Sequence, residues 1–100
     1  MLHTVNKSPY EKNSLDTCLR LAKSGSAILL IEDGVYAAMK GTSVEDKIKT
    51  ATQDKTLYAL GPDLKARGLD VGQVIDGVTV VDYGGFVDLA AESDKVQAWL

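Results

Sequence analysis

One hundred residues with 45% hydrophobic content suffice for a single compact domain, residues 1–100, and leave no room for a second core. A formal net charge of −3, with lysines and acids mixed along the chain, excludes the basic stripe that direct nucleic-acid binding requires. The longest apolar stretch, Ala27 to Ile31, is far too short to cross a bilayer.

The N-terminus lacks the basic region and apolar run of a secretory signal. A lone cysteine fits a reducing compartment. A soluble cytoplasmic domain with no membrane contact is therefore expected. Leu2 to Val5 reads as a short strand, and Asn6 to Asn13 (NKSPYEKN) as a polar loop broken by Pro9. Asn13 or Ser14 then caps a helix, whose Leu15, Cys18, Leu19 and Ala22 recur at helical spacing and define one apolar face. Gly25 marks the turn that closes it.

Ala27 to Ile31 has no polar alternation, the pattern of a strand buried on both faces in a parallel sheet. Glu32-Asp33-Gly34 opens a short helical segment over Val35 to Met39. Ser43 with Asp46 resembles a capping pair for a polar helix through about Ala51, with Glu45 and Lys49 placed in the favourable order for an ion pair. Thr56 to Leu60 is the next strand, ended by Gly61-Pro62, and Asp63 to Arg67 a brief helix that Gly68 stops. Val78 to Val81, dense in β-branched residues, is the fourth strand. Asp82 to Gly85 turns into a last helix carrying Phe86, Val87, Leu89 and Ala90, and the chain runs out through Val96, Trp99 and Leu100. Strands alternating with helices imply parallel pairing with right-handed crossovers, hence a small three-layer α/β domain.

Cys18 is the chief chemical candidate. It lies near a helix N-terminus, where the dipole favours thiolate, with Lys12 and Arg20 close in sequence. Transfer of persulfide sulfur needs such a nucleophile. The same residue also lies on the apolar stripe, and free cysteines are commonly packed, so periodicity by itself favours a structural role. The sole histidine, His3, could pair with Cys18 only if strand and helix meet; a packed strand histidine is the expected case. One histidine and one cysteine make no metal site. The loop after the first strand has no glycine, so neither a dinucleotide fingerprint nor a P-loop is present, and no cofactor is expected. Gly84-Gly85 suits either an anion-binding nest or a tight strand-to-helix turn, the latter being commoner. Glu32 and Asp33, adjacent on a turning chain, point apart and make a poor acid–base pair. Trp99 either docks on its own core or anchors an interface. A complete catalytic set is missing, so the chain is not expected to be an enzyme by itself.

Several strings together resemble one family. Met1-Leu-His-Thr-Val-Asn-Lys-Ser-Pro9 opens the chain, and Leu30-Ile-Glu-Asp-Gly-Val-Tyr-Ala-Ala38 follows the second strand. Leu57-Tyr-Ala-Leu60, Asp63-Leu-Lys-Ala-Arg-Gly68, Val81-Asp-Tyr-Gly-Gly-Phe-Val87 and Gln97-Ala-Trp99 come after, in order. Each is weak alone, but end to end they resemble the DsrH/TusB family of small sulfur-relay subunits.

That resemblance implies a DsrE-like (flavodoxin/Rossmann-like) three-layer fold with about four mainly parallel strands. It implies assembly with two paralogous subunits, DsrE- and DsrF-like or TusD- and TusC-like, in a hetero-hexamer that passes persulfide sulfur to a DsrC/TusE-type acceptor. In one branch the relay serves sulfur oxidation, in the other thiolation of tRNA wobble uridine. The principal sulfur-accepting cysteine belongs to the DsrE or TusD subunit. DsrH proteins tend to carry a cysteine at the position of Cys18 where many TusB proteins have an apolar residue, so Cys18 leans the chain toward the DsrH branch, as a candidate sulfur carrier.

Overall fold

The computed structural model describes all 100 residues. Five strands form one wholly parallel sheet: β1 (Leu2–Val5), β2 (Ala27–Leu30), β3 (Thr56–Leu60), β4 (Val78–Val81) and β5 (Val96–Trp99), in the order β4-β3-β2-β1-β5. Four helices connect them: α1 (Ser14–Leu21), α2 (Glu45–Ala51), α3 (Gly61–Ala66) and α4 (Tyr83–Glu92). Three-residue-per-turn helices cover Glu32–Ala38 and Val71–Gln73. The expected α/β class, three layers and parallel pairing all hold, but there are five strands rather than four. The extra one is the C-terminus. Val96-Gln97-Ala98-Trp99 has no clean polar–apolar alternation, and four such residues at a chain end read as a tail, since termini fray unless tied down. Here they are tied: β5 pairs with β1 in register from Leu2↔Val96 to Val5↔Trp99, and the Leu2 N–H donates to the Lys95 carbonyl at 2.9 Å.

The strand order dictates the layers. From β1 to β4 the chain steps always in one direction, so right-handed crossovers put α1, α2 and α3 on one face. The return from β4 to β5 runs the other way and puts α4 alone on the second face, with Leu89 beside Ala27 and Tyr58. On the first face, Val5, Ile28, Leu30, Leu57 and Ala59 meet Leu15 and Cys18 of α1, Ile48 and Ala51 of α2 and Leu64 of α3 in one core. Ile28, Leu29 and Leu30 are fully buried, as expected of a strand covered on both sides.

Local signals differ in detail. No side chain caps α1; the Thr17 hydroxyl instead donates to the Asn13 carbonyl at 3.2 Å. Ser43 does not cap α2: the Glu45 carboxylate accepts the Gly41 N–H at 2.6 Å and pairs with Lys49 at 2.8 Å, the ion pair anticipated from their spacing. α3 begins at Gly61, with Pro62 in its first turn, where a missing N–H costs nothing. One close approach stands out. A Cβ on Gly34 would lie 2.1 Å from the Val5 carbonyl oxygen, so only glycine lets the segment after β2 cross the end of β1. No helix is long and apolar enough to cross a membrane.

Candidate functional site

In an open parallel sheet ligands gather at the C-terminal strand ends, where the strand order reverses. Here the reversal lies between β1 and β5. The Ser14 hydroxyl donates to the Leu100 carbonyl at 3.1 Å across it, and the buried Asn6 Oδ1 at the end of β1 has no partner. Further along this edge, Asp33 accepts the Arg67 Nε–H at 2.9 Å, and Asp63 accepts the Glu32 N–H at 2.6 Å. Glu32 is the one non-glycine residue with left-handed backbone (φ 50°). The two adjacent carboxylates thus serve different contacts, Asp33 toward the end of α3 and Glu32 toward solvent, and make no acid–base pair. Arg67 is legible in the sequence only as the end of a brief helix; its Asp33 partner lies 34 residues away, beyond any local signal.

Cys18 is completely buried, in the core between α1 and the sheet. Burial pushes its thiol pKa up to about 11, a rise that the charge of Lys55 only partly opposes. The loss of hydration outweighs that cation. In this fold Cys18 is a neutral, shielded thiol. It is therefore expected to resist a thiol reagent such as dithionitrobenzoate at pH 8 until the chain unfolds, which a labelling time course with and without denaturant measures. Its raised value also means that the unfolded chain releases this proton first. The contribution of Cys18 to stability is thus full below the ordinary thiol value of 9.0 and is lost as pH rises through about 11.

His3 does not meet Cys18. Its Nδ1 accepts the Trp99 indole N–H at 3.0 Å, with ring centroids 6.1 Å apart, and His3 is only 5% exposed. Trp99 so docks on its own core and fastens β5 to β1. Burial, with a smaller effect of the N-terminal ammonium, lowers the His3 pKa. The folded chain binds this proton less readily than the unfolded one. Stability from His3 is therefore complete above the ordinary histidine value and is lost on acidification from there down through the lowered one. Thermal melts between pH 7.5 and 5 are expected to show this loss, and a Trp99→Phe variant to show less of it. Gly84 and Gly85 form no free nest, because the Asp82 carboxylate already accepts the Gly85 N–H at 2.8 Å as the cap of α4. No group of histidine, cysteine and acidic residues is placed to hold a metal ion.

What the structure offers instead is surface. α4 (YGGFVDLAAE) has no buried residue, with Val87 64% and Tyr83 60% exposed. Val96 and Ala98 of β5, on the same side of the sheet, are exposed as well. Phe86, Leu89 and Ala90 are only half-buried against the sheet, so the apolar side chains of α4 are covered in part and its outer face is an unsatisfied layer.

The model of the family described as DsrH like protein matches residues 7–96. The chain belongs to the DsrH/TusB family of sulfur-relay subunits. It is 39% identical over 99 residues to protein TusB of Pectobacterium parmentieri and 41% identical over 99 residues to protein TusB of Yersinia pestis (strain Pestoides F), covering 99% of this chain and 100% of each relative. Among solved structures, the ychN protein from E. coli superposes with a TM-score of 0.83 over 97% of both chains at 21% identity. A protein of unknown function from Methanobacterium thermoautotrophicum gives a TM-score of 0.71 at 18% identity, over 97% of this chain and 95% of its own. At those identities the likeness establishes the fold alone, the DsrE-like architecture expected from the sequence.

Proposed function

We propose that this DsrH/TusB chain is a TusB-like, non-catalytic structural subunit of a cytoplasmic sulfur-relay complex for thiolation of tRNA wobble uridine. Its partners are two paralogous DsrE-fold subunits, TusD- and TusC-like, in a hetero-hexamer that delivers persulfide sulfur to a TusE-type acceptor. The observation that carries the reading is full-length likeness to TusB proteins joined to a cysteine sealed in the core. The sequence alone leans toward the DsrH branch and sulfur oxidation because of Cys18. A sealed, neutral thiol removes most of that weight, and the named relatives favour the other branch. Sulfur oxidation with DsrE- and DsrF-like partners is the second reading, resting on the presence of Cys18.

The α4 face supports a subunit role, since its exposed apolar side chains suit a partner's surface better than water. Val87→Asp places a charge there without disturbing the core. It is expected to abolish co-purification with co-expressed partner subunits, while the melting temperature of the isolated chain moves by no more than about a degree or two. Undiminished assembly would remove α4 from the interface.

A further inference from the structure

On the opposite side of the sheet from α4, a cleft of about 400 Å³ opens between the end of α1 and β5. Its floor is His3 and Ser26, two polar side chains that are 5% and 6% exposed. Trp99 can only donate, so the bond to Nδ1 fixes His3 as the neutral tautomer with its proton on Nε2. Neither that Nε2–H nor the Ser26 hydroxyl bonds another group of the protein, so both are free to bond whatever enters the cleft. Neither atom is sealed from solvent; the only fully enclosed side-chain polar atom without a partner is Asn6 Oδ1. Two unspent donors therefore meet in one recess. Lys23 and Lys95 line the same cleft, while Asp94, the acidic residue of the lining, is engaged by the Met1 amino group at 3.4 Å. In a chain of net charge −3 this is a local excess of positive charge. Leu21, 59% exposed, and the Trp99 ring supply apolar walls.

We propose that this cleft is a binding site for a small anionic ligand, its oxyanion accepting from His3 Nε2 and the Ser26 hydroxyl in the cleft that Lys23 and Lys95 line, and its apolar body lying against Leu21 and Trp99. Charge-assisted bonds to buried donors give such a headgroup direction, and the lysines attract it from solution. The site is independent of the assembly proposed above, which uses the other face. The test is a titration of the isotopically labelled full chain at pH 7.5, following the Trp99 indole and His3 ring signals by NMR, with phenyl phosphate and with inorganic phosphate. Saturable shifts with both are expected, phenyl phosphate binding the more tightly, and a Lys23→Met/Lys95→Met variant, altered only at exposed positions, weakening both at least tenfold. Absence of a saturable shift, or binding unchanged in the double variant, would overturn the site. Equal affinity for the two probes would overturn the role of the apolar walls.

Discussion

Gly34→Ala is expected to be the most damaging single-methyl change in this chain. The added carbon would sit 2.1 Å from the Val5 carbonyl oxygen and 3.0 Å from its carbonyl carbon. Both are backbone atoms, so no rotamer change relieves the clash. That same oxygen accepts the Ile31 N–H at 3.0 Å, which means the obstacle is part of the turn that carries the chain away from β2. Relief requires the segment Glu32–Ala38 to lift off β1, exposing Val35, Ala37 and Ala38, all buried in the core. Overpacking costs about 1–3 kcal/mol and occasionally more, and a clash with backbone puts this site at the upper end, a large share of the roughly 5–15 kcal/mol that holds a domain of this size. Gly41→Ala is the control: its backbone is left-handed (φ 79°) but its surroundings are open, so only the conformational penalty of about 1 kcal/mol applies. Urea titrations of the two variants are expected to rank them in that order. A Gly34→Ala chain as stable as the parent would mean that the crossing is looser than described.

The second large effect concerns Cys18, where two conservative changes separate chemistry from packing. Cys18→Ser puts a hydroxyl into a fully buried position among apolar core side chains, at a cost of about 1–3 kcal/mol. Cys18→Ala removes one atom and leaves a small void, at about 1 kcal/mol. A packed thiol therefore predicts that Ser is the worse substitution in urea unfolding, whereas relay activity of the assembled complex survives Cys18→Ala. A sulfur carrier predicts the reverse for activity, with both variants dead however well they fold. Sulfur transfer measured in the Ala complex decides between them.

The legible parts of this fold are those that depend on local pattern. The run Ala27–Ile31 announces a central parallel strand, the β-branched Val78–Val81 another, and the apolar spacing of α1 puts Cys18 on the inner face. What escapes is set by distant partners. β5 is a strand because β1 lies open beside it, and nothing within Val96–Trp99 reports that. The His3–Trp99 bond joins residues 96 apart in the chain, so His3 looks like an ordinary packed histidine and the cleft above it is invisible in the sequence. Ser26, a turn residue in sequence, is buried only because the chain folds over it. The capping signals fail for a different reason: Ser43 and Asn13 are competent caps, but at these helix starts it is Glu45 and Thr17 whose side chains bond the backbone. The unpartnered character of α4 is likewise legible only in part, since its apolar residues are plain but the absence of anything over them is not.

Whether this chain is a structural subunit is tested most directly by native mass spectrometry of the affinity-tagged protein purified from its own cells. The expected result is a complex with two small paralogous subunits of the same fold, in equal numbers, which falls apart when Val87 is replaced by aspartate. Recovery of the chain alone, or only as copies of itself, would contradict it.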